Sequence, residues 1–314
     1  LDEAFALADQ VDDPDVKAWP LFGRAMTLYT RGHFREALEW AERTERWVAQ
    51  NCIDSGWLLA EVEGLIGVQH VAMGEIAKFR IASESTARRL KASGNEFQLA
   101  ISSALRSQLT VARDAPDVAL DELAEILREW PRNAVALITV WSTVNTLMYQ
   151  GRSSDAWQLM AQHWPKFTRF GYQRVNPWRY ALPLLEATVA LACARDGLGA
   201  SYLRVAEKGL ERLRGLRMDW TGPSSQMLEA GLCQLKGDRE TAAQLYGAAA
   251  EGYERLAMRG YVQMCRLRQS ELLVGPEAEQ LRASAERWFA DQGIRKPNAW
   301  TRMFAPISAL ADAG

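Results

Sequence analysis

The sequence predicts an all-α chain: a solenoid of about seven helix pairs, preceded by one helix and closed by a C-terminal capping helix. Apolar residues recur along most of its length at i, i+3, i+4 and i+7, the spacing that lines one helical face. Helix-ending signals at 32, 74, 114, 151, 197, 237 and 275 are separated by 42, 40, 37, 46, 40 and 38 residues. No alternating run of useful length competes for strand. A repeat near 40 residues describes a unit too small to bury its own apolar face, so each pair requires neighbours.

The clearest unit is Leu21–Trp47. Leu21, Ala25 and Leu28 mark one face of a first helix, which stops at Arg31-Gly32 because glycine takes a left-handed backbone without strain. Phe34, Ala37, Leu38 and Ala41 mark the second helix. The small Ala25 and Ala37 allow close approach, with Phe34 and Trp40 filling the space beside them.

In order, Leu1–Val11 is amphipathic and ends at Asp12-Asp13-Pro14. It starts without a cap, as the second helix of a preceding pair would, so a longer protein is expected. Helix pairs follow at 15–30 with 33–50, 55–72 with 75–92, 97–112 with 116–130, and 133–150 with 153–163. Pro116 suits a first helical turn. Trp164-Pro165 is read as the end of the eighth helix of these pairs, and Pro165–Pro177 as a longer link. The pattern resumes at 178–195 with 200–213, 223–236 with 239–258, and 261–274 with 276–292. Pro297–Leu310 is placed as a cap over the end of the stack; the division is 1–13, 14–292 and 293–314 within a single repeat domain.

The opening unit resembles a tetratricopeptide (TPR) repeat: small residue, aromatic, glycine turn, aromatic, alanine. Ala230, Gly237-Asp238, Ala242, Tyr246 and Ala249 repeat that order. The resemblance implies a right-handed superhelix whose concave face is lined by the first helix of each pair. Phe79 stands where the family usually has alanine, which implies wider packing there.

Composition excludes several classes. Apolar residues at 48% and charged residues at 24% suit a folded soluble chain, and a net charge of −2 gives no bulk attraction to nucleic acid or anionic membrane. No apolar run reaches the roughly 18–20 residues of a membrane span. Cys52, Cys193, Cys233 and Cys265 are widely spaced and form no CxxC pair; the last three fall inside apolar helical patterns, which favours small-hydrophobe roles over a disulfide or zinc site and, with it, a reducing, cytoplasmic compartment. There is no GxxxxGK[ST], GxGxxG or HExxH, and His33, His70 and His163 are far apart in sequence. Glu61/Glu63 and Asp121/Glu122 read as solvated helix faces. No cofactor, metal or catalytic residue is assigned, although an enzyme with a site in the concave groove stays open as a third class.

Two surfaces carry the binding expectations. By the TPR resemblance, Trp19, Phe22, Met26 and Tyr29 line the groove in the first pair, and Trp141, Asn145, Met148 and Tyr149 in the fourth. Such a lining suits an amphipathic helix or an extended apolar peptide; the alternative is packing between neighbouring pairs. The second surface is the link. From Ala156 to Leu185 there is no Asp or Glu, while Lys166, Arg169, Arg174 and Arg179 alternate with Phe167, Phe170, Tyr172, Trp178 and Tyr180. Arginine forks beside aromatic faces suit carboxylate, phosphate or nucleobase contacts; the alternative is neutralisation by adjacent helices, with the aromatics plugging a gap.

The tail, Ala285–Ile307, resembles the extreme C-terminus of large bacterial proteins that join a Ser/Thr kinase or STAND-type NTPase domain to a TPR-like array. Trp288, Gln292-Gly293-Ile294, Pro297, Met303 and Ala305-Pro306 carry the likeness. It implies a sensor or scaffold module that binds a protein or peptide and acts on an attached N-terminal effector domain. Kinase or NTPase activity belongs to that missing part. Nucleotide or nucleic-acid recognition through the link at 165–180 is the alternative; membrane partners are not expected.

Overall fold

The computed structural model describes residues 1–53, 55–174, 178–216 and 218–309. All regular structure among the described residues is helical: sixteen α-helices and one 3-10 turn. Most helices pack mainly on their sequence neighbours, as in a helical-repeat solenoid. The packing divides the chain into two compact units, Leu1–Ser103 and Ala104–Gly314, with the division inside one helix.

The first unit holds α1 (Asp2–Ala8), α2 (Pro14–Arg31), α3 (Phe34–Asn51), α4 (Gly56–Met73), α5 (Ile76–Ser93) and the first part of α6 (Glu96–Ala112). Asp13 caps α2 by accepting the Asp15 N–H at 2.8 Å, with Pro14 in the first turn where its missing donor costs nothing. At the other end Gly32 turns left-handed, φ 91°, so its own N–H reaches Tyr29 O and the next reaches Leu28 O. That closure consumes two carbonyls the helix leaves unpaired. Ala25, Phe34, Ala37 and Ala41 are fully buried between the paired helices. Phe79 is also buried, and its ring lies over Gly67: a Cβ there would stand 3.3 Å from Phe79 Cε2. A glycine on the facing helix thus supplies the room for this ring.

The second unit continues with α7 (Pro116–Glu129), α8 (Asn133–Tyr149), α9 (Ser153–Arg169), a 3-10 turn (Tyr172–Arg174), α10 (Trp178–Arg195) and α11 (Ala200–Arg214). Then come α12 (Thr221–Leu235), α13 (Arg239–Arg255), α14 (Arg259–Ser270), α15 (Pro276–Asp291) and α16 (Pro297–Arg302). Six of the seven expected turn positions close as Gly32 does, including Asp114 at φ 60°; the seventh, Gly275, instead precedes α15 as its N-cap. Asp114 tolerates the left-handed position because its carboxylate is used there, accepting the Tyr149 hydroxyl at 2.9 Å and pairing with Lys296 at 3.1 Å.

Helix α9 does not end at Trp164-Pro165 as the sequence suggests but runs on to Arg169 with Pro165 inside it. Met160, His163 and Phe167 are buried at i, i+3 and i+7, so one apolar stripe crosses the proline. Burial of that stripe outweighs the roughly 3 kcal/mol an interior proline costs. Two close approaches set helix spacing farther on. A Cβ at Gly209 would lie 2.5 Å from Ala187 Cβ, and one at Gly252 would lie 2.8 Å from Pro223 Cβ.

The C-terminal segment meets the last pair through α14 and also reaches past it. It folds back, with α16 against α8 and the residues beyond it against α10, α12 and α14.

Candidate functional site

In the first unit the expected groove residues separate into two kinds. Tyr29 is buried edge-on against Phe34, 5.8 Å between ring centroids, and belongs to the core. Trp19 is 50% exposed, with Phe22 at 6.4 Å on one side and Trp57 at 5.7 Å on the other. Phe22 and Met26 are half-buried. Trp57 completes this open aromatic strip and has no signature in the sequence beyond its type. Beside it, Leu1, Leu7, Val11, Val16 and Trp19 line an open apolar cavity of about 550 Å³.

Of the four residues expected to line the groove in the fourth pair only Trp141 is partly accessible, and it packs edge-on against Trp178 at 5.8 Å. Asn145, Met148 and Tyr149 are buried, so they do not line an open groove. Burial, reinforced by the Asp114 carboxylate it donates to, pushes the Tyr149 hydroxyl well above the usual phenol range. Among the described residues the Asn145 Oδ1 has no hydrogen-bond partner.

The basic-aromatic stretch also divides by residue type. Val175, Asn176 and Pro177 lie outside the described residues. Phe167 is buried among His163, Trp164 and Tyr172, with centroids at 6.0, 5.9 and 6.2 Å. Tyr180 is buried and stacked on Trp220 at 4.4 Å, and its hydroxyl meets Ser224 Oγ at 2.5 Å. Tyr172 and Trp178 are half-buried, and only Phe170, at 63%, is well exposed. Most of the aromatic area is therefore packing. The cations behave differently. Lys166 and Arg169 lie in the last turns of α9, Arg174 in the 3-10 turn and Arg179 at the start of α10, three elements that pack on one another. All four are exposed, and among the described residues none forms an ion pair with a carboxylate.

A polar cleft in the first unit was not legible beforehand. Glu63, read from sequence as solvated, is buried on α4 and paired with Arg89 from α5; burial pushes its carboxyl up while Arg89 opposes the shift. Glu61 is partly buried and accepts a hydrogen bond from Gln98. The buried sides of α4 reach farther around the helix than its apolar spacing implies, because α3 and α5 both pack on it. Nearby, His70 meets Glu75 at 3.0 Å, which with Lys78 holds the Glu75 carboxyl down to about 2. Glu42, Glu45, Glu63, His70, Lys78 and Arg89 line this cleft of about 310 Å³.

Among the described residues, no three His, Cys, Asp or Glu side chains are grouped to hold a metal ion, and all four cysteines are free thiols. No helix among them is long and apolar enough to cross a membrane. No family model and no curated protein matches this chain.

Proposed function

We propose that this chain is a TPR-like binding module of a larger bacterial regulatory protein, acting as a sensor or scaffold that takes an acidic protein or peptide partner. The observation that carries this reading is the set of four exposed cations, Lys166, Arg169, Arg174 and Arg179, with no carboxylate paired to them among the described residues. Their stability role is small, since an unpaired surface arginine contributes little to folding. Their recognition role is larger, because guanidinium forks bind carboxylates in pairs and long-range attraction speeds encounter. Phe170 beside them offers an apolar contact that partly desolvates the bound charges.

Nucleic-acid recognition at the same stretch finds less support. Base stacking needs open aromatic faces, and Phe167 and Tyr180 are buried in protein contacts. An all-helical repeat is not a typical catalytic fold, so a binding role is favoured over an enzymatic one. In this reading an attached N-terminal kinase or nucleotide-hydrolysing domain converts binding into output in the cytoplasm. The reading is tested by titrating the chain with a fluorescent Glu-rich peptide and with a single-stranded oligonucleotide of equal charge. Tighter binding of the peptide, weakening as salt rises, is expected; preference for the oligonucleotide would favour the nucleic-acid reading.

A further inference from the structure

After α16 the chain leaves regular structure, and residues 305–308 form neither helix nor strand. Backbone groups buried outside regular structure require partners from elsewhere. Here charged side chains supply them. Arg268 Nε donates to the Ala305 carbonyl at 2.9 Å, and Arg195 Nη1 donates to the Pro306 carbonyl at 2.7 Å. The Glu271 carboxylate accepts the Ser308 hydroxyl at 2.9 Å and the Ala309 N–H at 3.0 Å. Two side chains of this segment are also seated in the unit. Phe304 packs edge-on against Tyr261 at 5.3 Å. Ile307 is buried beside Gly231, where a Cβ would stand 3.4 Å from Ile307 Cγ1 and 2.7 Å from Leu191 Cδ2.

The floor of this seat is unusual for a permanent core. Arg268 and Glu271 are fully buried and paired at 2.6 Å, an arrangement that apolar residues of similar volume commonly replace without loss. A buried charged pair has a use where it grips a main chain, since carbonyls and N–H groups are present whatever the ligand's sequence. The contacts read backbone together with one aromatic and one aliphatic side chain, which is how extended peptides are recognised.

We infer that the face formed by α10, α12 and α14 is a peptide-binding site for an uncharged, extended segment of the form aromatic–Ala–Pro–aliphatic–Ser, and that the chain's own tail occupies it in cis. A partner segment of that chemistry binds by displacing the tail. This site is separate from the basic surface and does not depend on it. The cis tail competes at the effective concentration of a short tether, of order millimolar, so an outside peptide binds the intact chain weakly.

The test inserts a specific protease sequence after the exposed Gly293 of the full chain. After cutting, the 294–314 fragment should co-elute with the body on size exclusion. A fluorescent synthetic peptide of the same sequence should then exchange into the seat. The same peptide carrying Ile307→Asp should bind about tenfold or more weakly, because its carboxylate would be buried without a partner. Loss of the helical signal on cutting, a fragment that cannot be exchanged, or equal binding of the Ile307→Asp peptide would overturn the proposal. If the insertion itself prevents folding, the unmodified chain decides. Excess peptide should accelerate hydrogen–deuterium exchange at residues 303–309, and unchanged exchange there would mark the tail as permanent core.

Discussion

Arg268 and Ala305, 37 residues apart, are joined by a guanidinium-to-carbonyl hydrogen bond of 2.9 Å in the interior of the second unit. The same guanidinium pairs with Glu271, so one buried cation holds both a carboxylate and the main chain of the tail. Arg268→Met should cost about 3–5 kcal/mol, because Glu271 is left buried without its partner. The double change Arg268→Met with Glu271→Leu should recover much of that loss. Urea unfolding of the three proteins checks this. A single variant as stable as the parent would mean that the pair is solvated.

Ser224 organises a second buried polar group. Its hydroxyl donates to Trp220 O at 2.8 Å, leaving its lone pairs for the hydroxyls of Tyr180 at 2.5 Å and Tyr253 at 2.7 Å. Ser224→Ala should destabilise by roughly 1–3 kcal/mol or more, since two buried hydroxyls lose their acceptor. Adding Tyr180→Phe and Tyr253→Phe removes those hydroxyls and should restore part of the stability. Thermal melts of the series separate lost hydrogen bonding from lost packing.

The sequence-level and structural pictures agree where the signal is local. Gly32, Gly74, Gly151, Gly197 and Gly237 stop helices because the backbone itself turns left-handed there, and that requirement is written in the residue type. Asp114 was legible only as part of a break, since an aspartate in that conformation depends on Tyr149 and Lys296 from distant segments. The extension of α9 through Pro165 was hidden for a similar reason: local propensity opposes it, and buried Phe167 decides it. Of the candidate site, the exposed cations at 166, 169, 174 and 179 could be singled out from the acid-free run. The burial of Asn145, Tyr149 and Glu63, and the return of Ala305–Ile307 across α10 and α14, follow from contacts between distant segments that periodicity does not encode.

Helix spacing gives a third prediction. Ala37 and Ala242 are fully buried in their pairs, and Ala37→Trp or Ala242→Trp should overpack them at a cost of roughly 1–3 kcal/mol or more. Gly209→Ala should be felt as well, because the new methyl would meet Ala187 Cβ at 2.5 Å. Differential scanning calorimetry should show lower midpoints for all three. Parental melting of the tryptophan variants would place those alanines on the surface.

Acidification should act through His163. Burial, with Lys166 nearby, lowers its basicity below the ordinary imidazole value of 6.5, so protons bind the unfolded chain more readily than the folded one. Its contribution is thus intact above about pH 6.5 and declines as pH falls below that value. Glu75 acts lower: its contribution is present above 4.5 and is lost as pH falls toward about 2. Between pH 7.5 and 5 the urea midpoint of the parent should lose more than that of His163→Gln, since Glu61, Glu63 and Glu186, raised by burial, act in the opposite direction but equally in both proteins. A slope unchanged by that replacement would assign the effect elsewhere.

Charge reversal at the basic surface tests the proposed binding role most directly. Arg169, Arg174 and Arg179 are exposed and free of carboxylate partners among the described residues, so replacing all three by Glu removes attraction without breaking an ion pair. The deciding measurement is the affinity of a fluorescent Glu-rich peptide for parent and triple variant across salt, with the melting temperature of each. For the parent, binding should weaken as salt rises, because mobile ions screen charges beyond about 8–10 Å near physiological strength. The triple variant should bind at least about tenfold more weakly, the effect of about 1.4 kcal/mol, and melt as the parent does. Parental affinity in the triple variant would contradict the account, as would a variant whose lost binding follows from lost folding.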